Sequence, residues 1–322
     1  MKTIRWGILG AGRISEQFVS DLQRVEGCAV TAVAARSLKS AQDFAERHNI
    51  AQALEGYQAL YQHADVDIIY IATPHTCHFE QASAALNAGK HVLCEKPMTV
   101  SLQQSKQLAD IAKANNCYLM EGMWTWFLPA IRQAQDWIAQ GRIGAIKHIK
   151  ADFGYPIEYH PRRREYDAEL AGGSLFEMGI YPVALAWLLT GRAPNARQVM
   201  ARHADNGVAD DIIWQQDYGD CYASLATSFR CKQQNWAYII GDEGYIAIPD
   251  FWRAHRAELY HLDEMVEHFE EHREGFGFQH QATAVCEDLR AGLIESQRVS
   301  LADSHAFQAE IADINAIIAE QQ

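Results

Sequence analysis

Ile4-Arg5-Trp6-Gly7-Ile8-Leu9 runs directly into Gly10-Ala11-Gly12-Arg13-Ile14-Ser15 near the start of the chain. The first six residues read as a buried strand, and Ile14, Phe18 and Leu22 then share one face of a helix. Glycines between a strand and a helix permit a tight turn and a close backbone approach. The alternation continues. Residues 29–35, residues 67–72, His91–Cys94 and residues 118–121 read as further strands. Before the last of these, Ser101 can cap a helix that buries Leu108, Ile111 and Ala112 and stops at Asn115-Asn116. Strands joined by helical crossovers pair in parallel, so the first 122 residues predict a doubly wound α/β domain, its sheet covered on both faces.

The pattern changes beyond residue 122. Ile149, Ala151 and Phe153 alternate with His148, Lys150 and Asp152, which suits a sheet with one wetter face. Strands are expected at 197–204, 212–217, 221–229, 235–240 and 244–248. Two late helices follow, one with Ala282, Val285, Cys286 and Leu289 on a face, the other with Phe307, Ile311, Ile314 and Ile318. Residues 123–322 therefore predict an α+β domain with an open, mostly antiparallel sheet.

With 322 residues there is room for two such cores. A net charge of -13 argues against a nucleic-acid partner, because phosphate backbones are bound by clustered Lys and Arg. No apolar run suggests the roughly 20 residues of a membrane span, and Met1 leads at once into a strand with no secretion leader. A cytoplasmic protein is expected. The seven cysteines form no CxxC pair and read as reduced core thiols.

Four places carry chemistry. Gly10, Ala11 and Gly12, with Arg13 and Ile14, can cradle a pyrophosphate at a helix N-terminus. Ser15 replaces the third glycine of the dinucleotide fingerprint. The second strand ends in Arg36-Ser37 without the carboxylate that binds a ribose 2′-hydroxyl, so a 2′-phosphate and NADP(H) are expected rather than NAD(H). Arg13 and Lys39 can add charge there. Thr73-Pro74-His75-Thr76-Cys77-His78 and Glu95-Lys96-Pro97 each follow a strand, on the edge where parallel sheets bind ligands. His75 and His78 lack a nearby third ligand, and no metal is expected. The His-rich stretch 255–272 reads as a solvated face.

The succession Gly10-Ala11-Gly12, Ala35-Arg36-Ser37, Thr73-Pro74, Glu95-Lys96-Pro97 and Gly172-Gly173-Ser174-Leu175-Phe176-Glu177-Met178-Gly179-Ile180-Tyr181-Pro182 resembles the glucose–fructose oxidoreductase / inositol dehydrogenase family. It is most similar to the branch of dimeric dihydrodiol dehydrogenases and NADP-dependent D-xylose dehydrogenases, through Met123-Trp124-Thr125, Arg164-Glu165-Tyr166-Asp167 and Ile248-Pro249-Asp250-Phe251-Trp252. The resemblance implies a Rossmann domain and a second domain whose open sheet forms a homodimer. It implies Lys96 and Tyr181 as the catalytic pair, with Glu177 where many relatives have Asp. Trp126 stands where that branch commonly has Arg, and His75 where many have Asn. Cofactor contacts are then expected from Gly10 to Ile14, Arg36, Ser37, Thr73, Pro74, His75, His78, Glu95, Lys96 and Trp124. Phe153, Tyr155, Arg164, Tyr166, Asp167 and Tyr181, with His160 nearby, are the substrate candidates.

A neighbouring ammonium lowers the phenol pKa of about 10, so that Tyr181 can exchange a proton near neutrality. The expected reaction passes a hydride between nicotinamide C4 and a CH–OH or carbonyl carbon of a small sugar, polyol, cyclic diol or dicarbonyl. The alternatives are a non-catalytic NADP-binding sensor, and a sugar-modifying enzyme that recycles a tightly held cofactor.

Overall fold

The protein is described by a computed structural model over residues 2–321. The elements of the first half are β1 (Ile4–Leu9), α1 (Arg13–Leu22), β2 (Cys28–Ala35), α2 (Leu38–His48), β3 (Gln52–Glu55), α3 (Gln58–Tyr61), β4 (Ile68–Ile71), α4 (His78–Asn87), β5 (His91–Cys94), α5 (Leu102–Ala114) and β6 (Leu119–Glu121). Then come α6 (Pro129–Ala139), β7 (Ile146–Gly154), α7 (Ile180–Thr190), β8 (Ala196–His203), β9 (Ala209–Asp217), β10 (Tyr222–Ser228), β11 (Ala237–Gly241), β12 (Tyr245–Ile248), β13 (Arg256–His261), β14 (Glu264–Glu270), α8 (Phe278–Arg290) and α9 (Leu301–Glu320).

The six parallel strands of the first sheet run β3-β2-β1-β4-β5-β6, the order of a Rossmann fold. Both faces are covered. On one, Leu9, Ile69, Ile71, Val92 and Leu119 bury against Ala82, Leu86, Leu108 and Ala112 of α4 and α5. On the other, Phe18 of α1 stacks on Tyr70 at 3.7 Å and meets Trp6 and Phe278 edgewise or tilted. Ser101 caps α5 as expected, its hydroxyl accepting from Gln104 N–H. Strand β3 is an addition to the expected set.

The second sheet has eight strands in the order β14-β13-β12-β11-β7-β10-β9-β8, and only the β7–β10 pair is parallel. Ile149, Ala151 and Phe153 of β7 are buried and the alternate residues lie outward. The stretch 255–272, expected as a solvated face, is the β13–β14 hairpin at the edge; β14 is exposed nearly throughout, which is how the charge pattern hid a strand. By length and composition alone the stretch Ala168–Thr190, which ends in α7, is apolar enough to cross a bilayer. In the fold 61 % of its most apolar window is buried, as in the core helix of a globular unit.

The chain forms two compact units. One comprises residues up to Trp124 together with Arg273–His305; the other comprises Thr125–His272 and Ala306–Gln322. A single cut at residue 122 does not contain the return of α8 to the first unit. Buried Asp21 explains that return locally. Its carboxylate accepts the backbone N–H groups of Phe276, Gly277 and Phe278, which are otherwise orphaned at the start of α8. In the second unit α9 is tied to the sheet by Glu310, which takes Arg197 of β8 at 2.7 and 2.8 Å and Gln216 of β9 at 2.7 Å.

Candidate active site

In the first unit the nominated residues gather at the carboxyl ends of the parallel strands, with the order reversing between β1 and β4. Gly10 has φ +104°, and a Cβ there would lie 2.9 Å from the Ala72 carbonyl oxygen. Gly12 is the N-cap of α1; no side chain caps that end, and a Cβ would meet nothing within 4 Å. The helix therefore begins with uncapped N–H groups beside open space, where Ala11, Arg13 and Ile14 also sit. This fits a dinucleotide pyrophosphate. Ser15 does more than pack: its buried hydroxyl donates to the Gly10 carbonyl at 2.6 Å, clasping the turn.

Ser37 caps α2, its Oγ accepting from Ser40 N–H at 3.3 Å. Arg36 precedes it on the surface, beside the Tyr57 phenol. Lys39 is paired with Asp43 at 3.1 Å on an exposed face. After β4, Thr73 Oγ1 donates to Gln81 at 2.5 Å, Pro74 leads into a short turn, and His75 is buried there. His78 directs its two ring nitrogens to two backbone carbonyls, those of Pro97 and Thr73.

After β5, Glu95 accepts the Tyr70 hydroxyl at 2.6 Å and the Lys96 N–H at 3.3 Å. Burial pushes the Glu95 carboxyl up, with Tyr70 and Lys96 pulling the other way. The Lys96–Pro97 bond is cis. At the end of β6, Glu121 accepts Met98 N–H at 2.8 Å, and burial raises its carboxyl to about 7. Neither its role nor that of Tyr70 stands out in the sequence, because both lie within short apolar strand runs. Trp124 is buried and stacks on Phe278 at 4.5 Å. Among the described residues, no three His, Cys, Asp or Glu side chains come together in a metal-holding group.

In the second unit a π-helical turn, Leu175–Gly179, leads into α7 and carries Glu177 one turn before Tyr181. Tyr181 is buried and meets Phe153 edgewise at 5.3 Å. Phe153 also stacks on Trp252 at 4.8 Å and touches Tyr155 edgewise at 5.9 Å. Phe153, Tyr155, Tyr181 and Trp252 thus form one aromatic cluster; Trp252 belongs to it although its sequence neighbourhood marked only a resemblance. Arg164 grips Glu177 through both terminal guanidinium nitrogens, Nη1 to Oε1 and Nη2 to Oε2, the latter at 3.2 Å. Gly172 lets this loop fold back, since a Cβ there would lie 2.8 Å from the Asp167 and Glu165 carbonyl oxygens.

Tyr166 and Asp167 stand apart from that cluster. Tyr166 is buried, with its hydroxyl on the Ile157 carbonyl at 2.8 Å, and Asp167 caps a short turn by accepting Glu169 N–H. Tyr166 lines an open cavity of about 540 Å³ with Tyr159, Phe229 and the Asp210–Arg230 ion pair. His160 is exposed and accepts Arg162 N–H. Trp126 packs edgewise on Phe307 at 5.4 Å as a core residue.

Residues 4–123 match the oxidoreductase family with an NAD-binding Rossmann fold, and residues 131–247 match the GFO/IDH/MocA C-terminal domain. The chain belongs to the GFO/IDH/MocA family. As a member it is an NAD(P)-dependent oxidoreductase. It is 34 % identical over 310 residues to trans-1,2-dihydrobenzene-1,2-diol dehydrogenase of Xenopus laevis, covering 93 % of each chain. The mouse (Mus musculus) protein of the same name is 33 % identical over 322 residues, 96 % of this chain and 95 % of that one. A 3-ketoreductase from Actinomadura kijaniata, solved with NADP and TDP-benzene, superposes with a TM-score of 0.85 at 26 % identity over 98 % of both chains. An aldose-aldose oxidoreductase from Caulobacter crescentus shares the fold with a TM-score of 0.90 at 22 % identity, covering 100 % of this chain and 99 % of that one.

Proposed function

We propose that this GFO/IDH/MocA member is an NADP(H)-preferring oxidoreductase acting on a small carbonyl or CH–OH substrate: a sugar, polyol, cyclic diol or dicarbonyl. The observation that carries the reading is the uncapped start of α1 at Gly12, beside the turn that Gly10 alone can make. NADP(H) bound there supplies or accepts the hydride. Gly10 to Ile14 hold the pyrophosphate. Arg36 and the start of α2 at Ser37 hold the 2′-phosphate, supported by the lack of a carboxylate at the end of β2. Thr73, Pro74, His75 and Glu95 shape the nicotinamide end.

Tyr181 gives its phenolic proton to the carbonyl oxygen as the carbon is reduced, and takes it back in the oxidative direction. Lys96 favours the phenolate and polarises the same oxygen. The Actinomadura relative was also solved in forms with a lysine or a tyrosine replaced. Glu177, held by Arg164, orients the helix start that carries Tyr181. Phe153, Tyr155 and Trp252 offer apolar faces to a ring. Dihydrodiol dehydrogenase relatives support a cyclic diol in the substrate class.

The open face of the second sheet supports a homodimer. Met200 and Ile213 pair across β8 and β9 at 69 % and 49 % exposure, and Tyr222 of β10 is 54 % exposed. Seven cysteines, none in a disulfide among the described residues, fit the cytoplasm. A turnover screen over sugars, diols and dicarbonyls tests the reaction. Loss of turnover in Lys96→Met with NADPH binding retained is expected; unchanged turnover would remove Lys96 from the catalytic pair, and NADPH binding without turnover of any substrate would return the chain to the sensor reading.

A further inference from the structure

His78 opens α4 and is fully buried. Its Nδ1 lies 2.8 Å from the Pro97 carbonyl oxygen, and its Nε2 lies 2.8 Å from the Thr73 carbonyl oxygen. A carbonyl oxygen can only accept. A neutral imidazole has one N–H and one bare nitrogen, so it would set a nitrogen lone pair against an oxygen lone pair in one of these contacts. Only the imidazolium, with a proton on each nitrogen, satisfies both. We propose that His78 is a buried imidazolium and the positioning residue for Lys96, clamping the turn that carries this lysine to the end of β4. The positioning role rests on the function proposed above for Lys96.

The charges around the ring act in both directions. Burial disfavours a cation, as do the positive end of α4 and the nearby Lys96. Two charge-assisted hydrogen bonds favour it. Two buried carboxyls border the same turn: Glu95 accepts the Lys96 N–H, and Glu121 accepts the Met98 N–H. The other titratable groups on this loop and helix start are His75, whose ring centre is 5.9 Å away, Cys77 and Glu80. The Lys96-Pro97-Met98 turn is thus held at Pro97 by a cation and at Met98 by an acid. A reacting group displaced by about 1 Å costs on the order of a hundredfold in rate, so a clamp at the adjacent peptide bears on Lys96 directly.

The charge state is read on the wild-type chain without cofactor or substrate. Histidine-labelled protein is examined by long-range nitrogen–proton correlation, at a pH about 1.5 units above the ordinary histidine value of about 6.5. Among the fourteen histidines, one solvent-protected ring with protons on both nitrogens is expected, and it disappears in His78→Gln. No such ring, or one bare nitrogen at His78, overturns the proposal. In His78→Gln, which retains a donor but no charge, kcat falls about tenfold or more while NADPH Kd and substrate KM change less than about threefold. An unchanged kcat overturns the positioning role. If the wild-type chain turned over no substrate of the panel, the proposed reaction would fall, and the ring spectrum would still decide the charge.

Discussion

The two units place side chains by different means. In the parallel sheet the nominated residues lie one to a few positions beyond strand ends, and backbone groups hold them: the Gly10 turn, the Ser15 clasp, the carbonyls around His78. In the antiparallel unit Phe153 lies on β7 and Tyr181 on α7, and the other nominated residues occupy an irregular segment and a π-helical turn. Side chains hold these, through Arg164 on Glu177, Tyr166 on Ile157 and Asp167 on its own turn. A sheet buried on both faces fixes its loops from beneath; a sheet with one open face needs ties from the loop itself. Cofactor geometry should therefore be the rigid part of this protein and substrate selectivity the adjustable part.

The sharpest break in that comparison is chemical. Lys96→Met and Tyr181→Phe, one from each unit, are each expected to lower kcat by about a thousandfold with NADPH affinity nearly unchanged, measured by steady-state turnover and fluorescence titration. A loss from only one of the two would confine the chemistry to one unit.

The next effect is on folding. Burial holds the Glu121 carboxyl at about 7 against an ordinary 4.5. Between those values the folded chain binds the proton that the unfolded chain has released, so stability declines as pH rises through this window. The span corresponds to about 3 kcal/mol. Denaturant melts of wild type should lose stability on that order between pH 4.5 and pH 7, and Glu121→Gln should flatten the curve.

Arg36→Ala should weaken NADPH binding about tenfold and leave NADH binding within about twofold, because only the 2′-phosphate distinguishes the two. Smallest of all, Arg164→Ala should raise KM for the preferred substrate about threefold to fivefold and move cofactor affinity hardly at all. An equal effect on both would mean that the side-chain ties of the second unit also govern the cofactor.

The same contrast explains what could be read from the sequence. The strands of the parallel sheet are short apolar runs bounded by Gly, Pro or Asn, and β1 and β5 coincide with their expected bounds. Four-residue β3 lies at the sheet edge, half exposed, and gives no apolar run. In the second unit alternation located β7 to β12 to within three residues at either end, while β13 and β14 were hidden because Glu258, Glu264, Glu267 and Glu270 alternate with few apolar partners. The apolar face of α8 was plain, but nothing in it told which core it joins; that depends on Asp21, far away in sequence. Residue types marked the cofactor edge. They could not reveal that Trp124 and Trp126 pack against Phe278 and Phe307, or that Glu177 faces Arg164.

In the proposed reaction this chain reduces a carbonyl, or oxidises its alcohol, with NADP(H). The most direct test follows NADPH and NADH side by side, first by fluorescence titration and then by product stoichiometry on a dicarbonyl, a cyclic diol and a set of sugars. Tighter binding of NADPH than of NADH is expected, with one NADP(H) converted per product formed on at least one substrate. Equal affinity for both cofactors, or binding with no conversion on any of them, would contradict it.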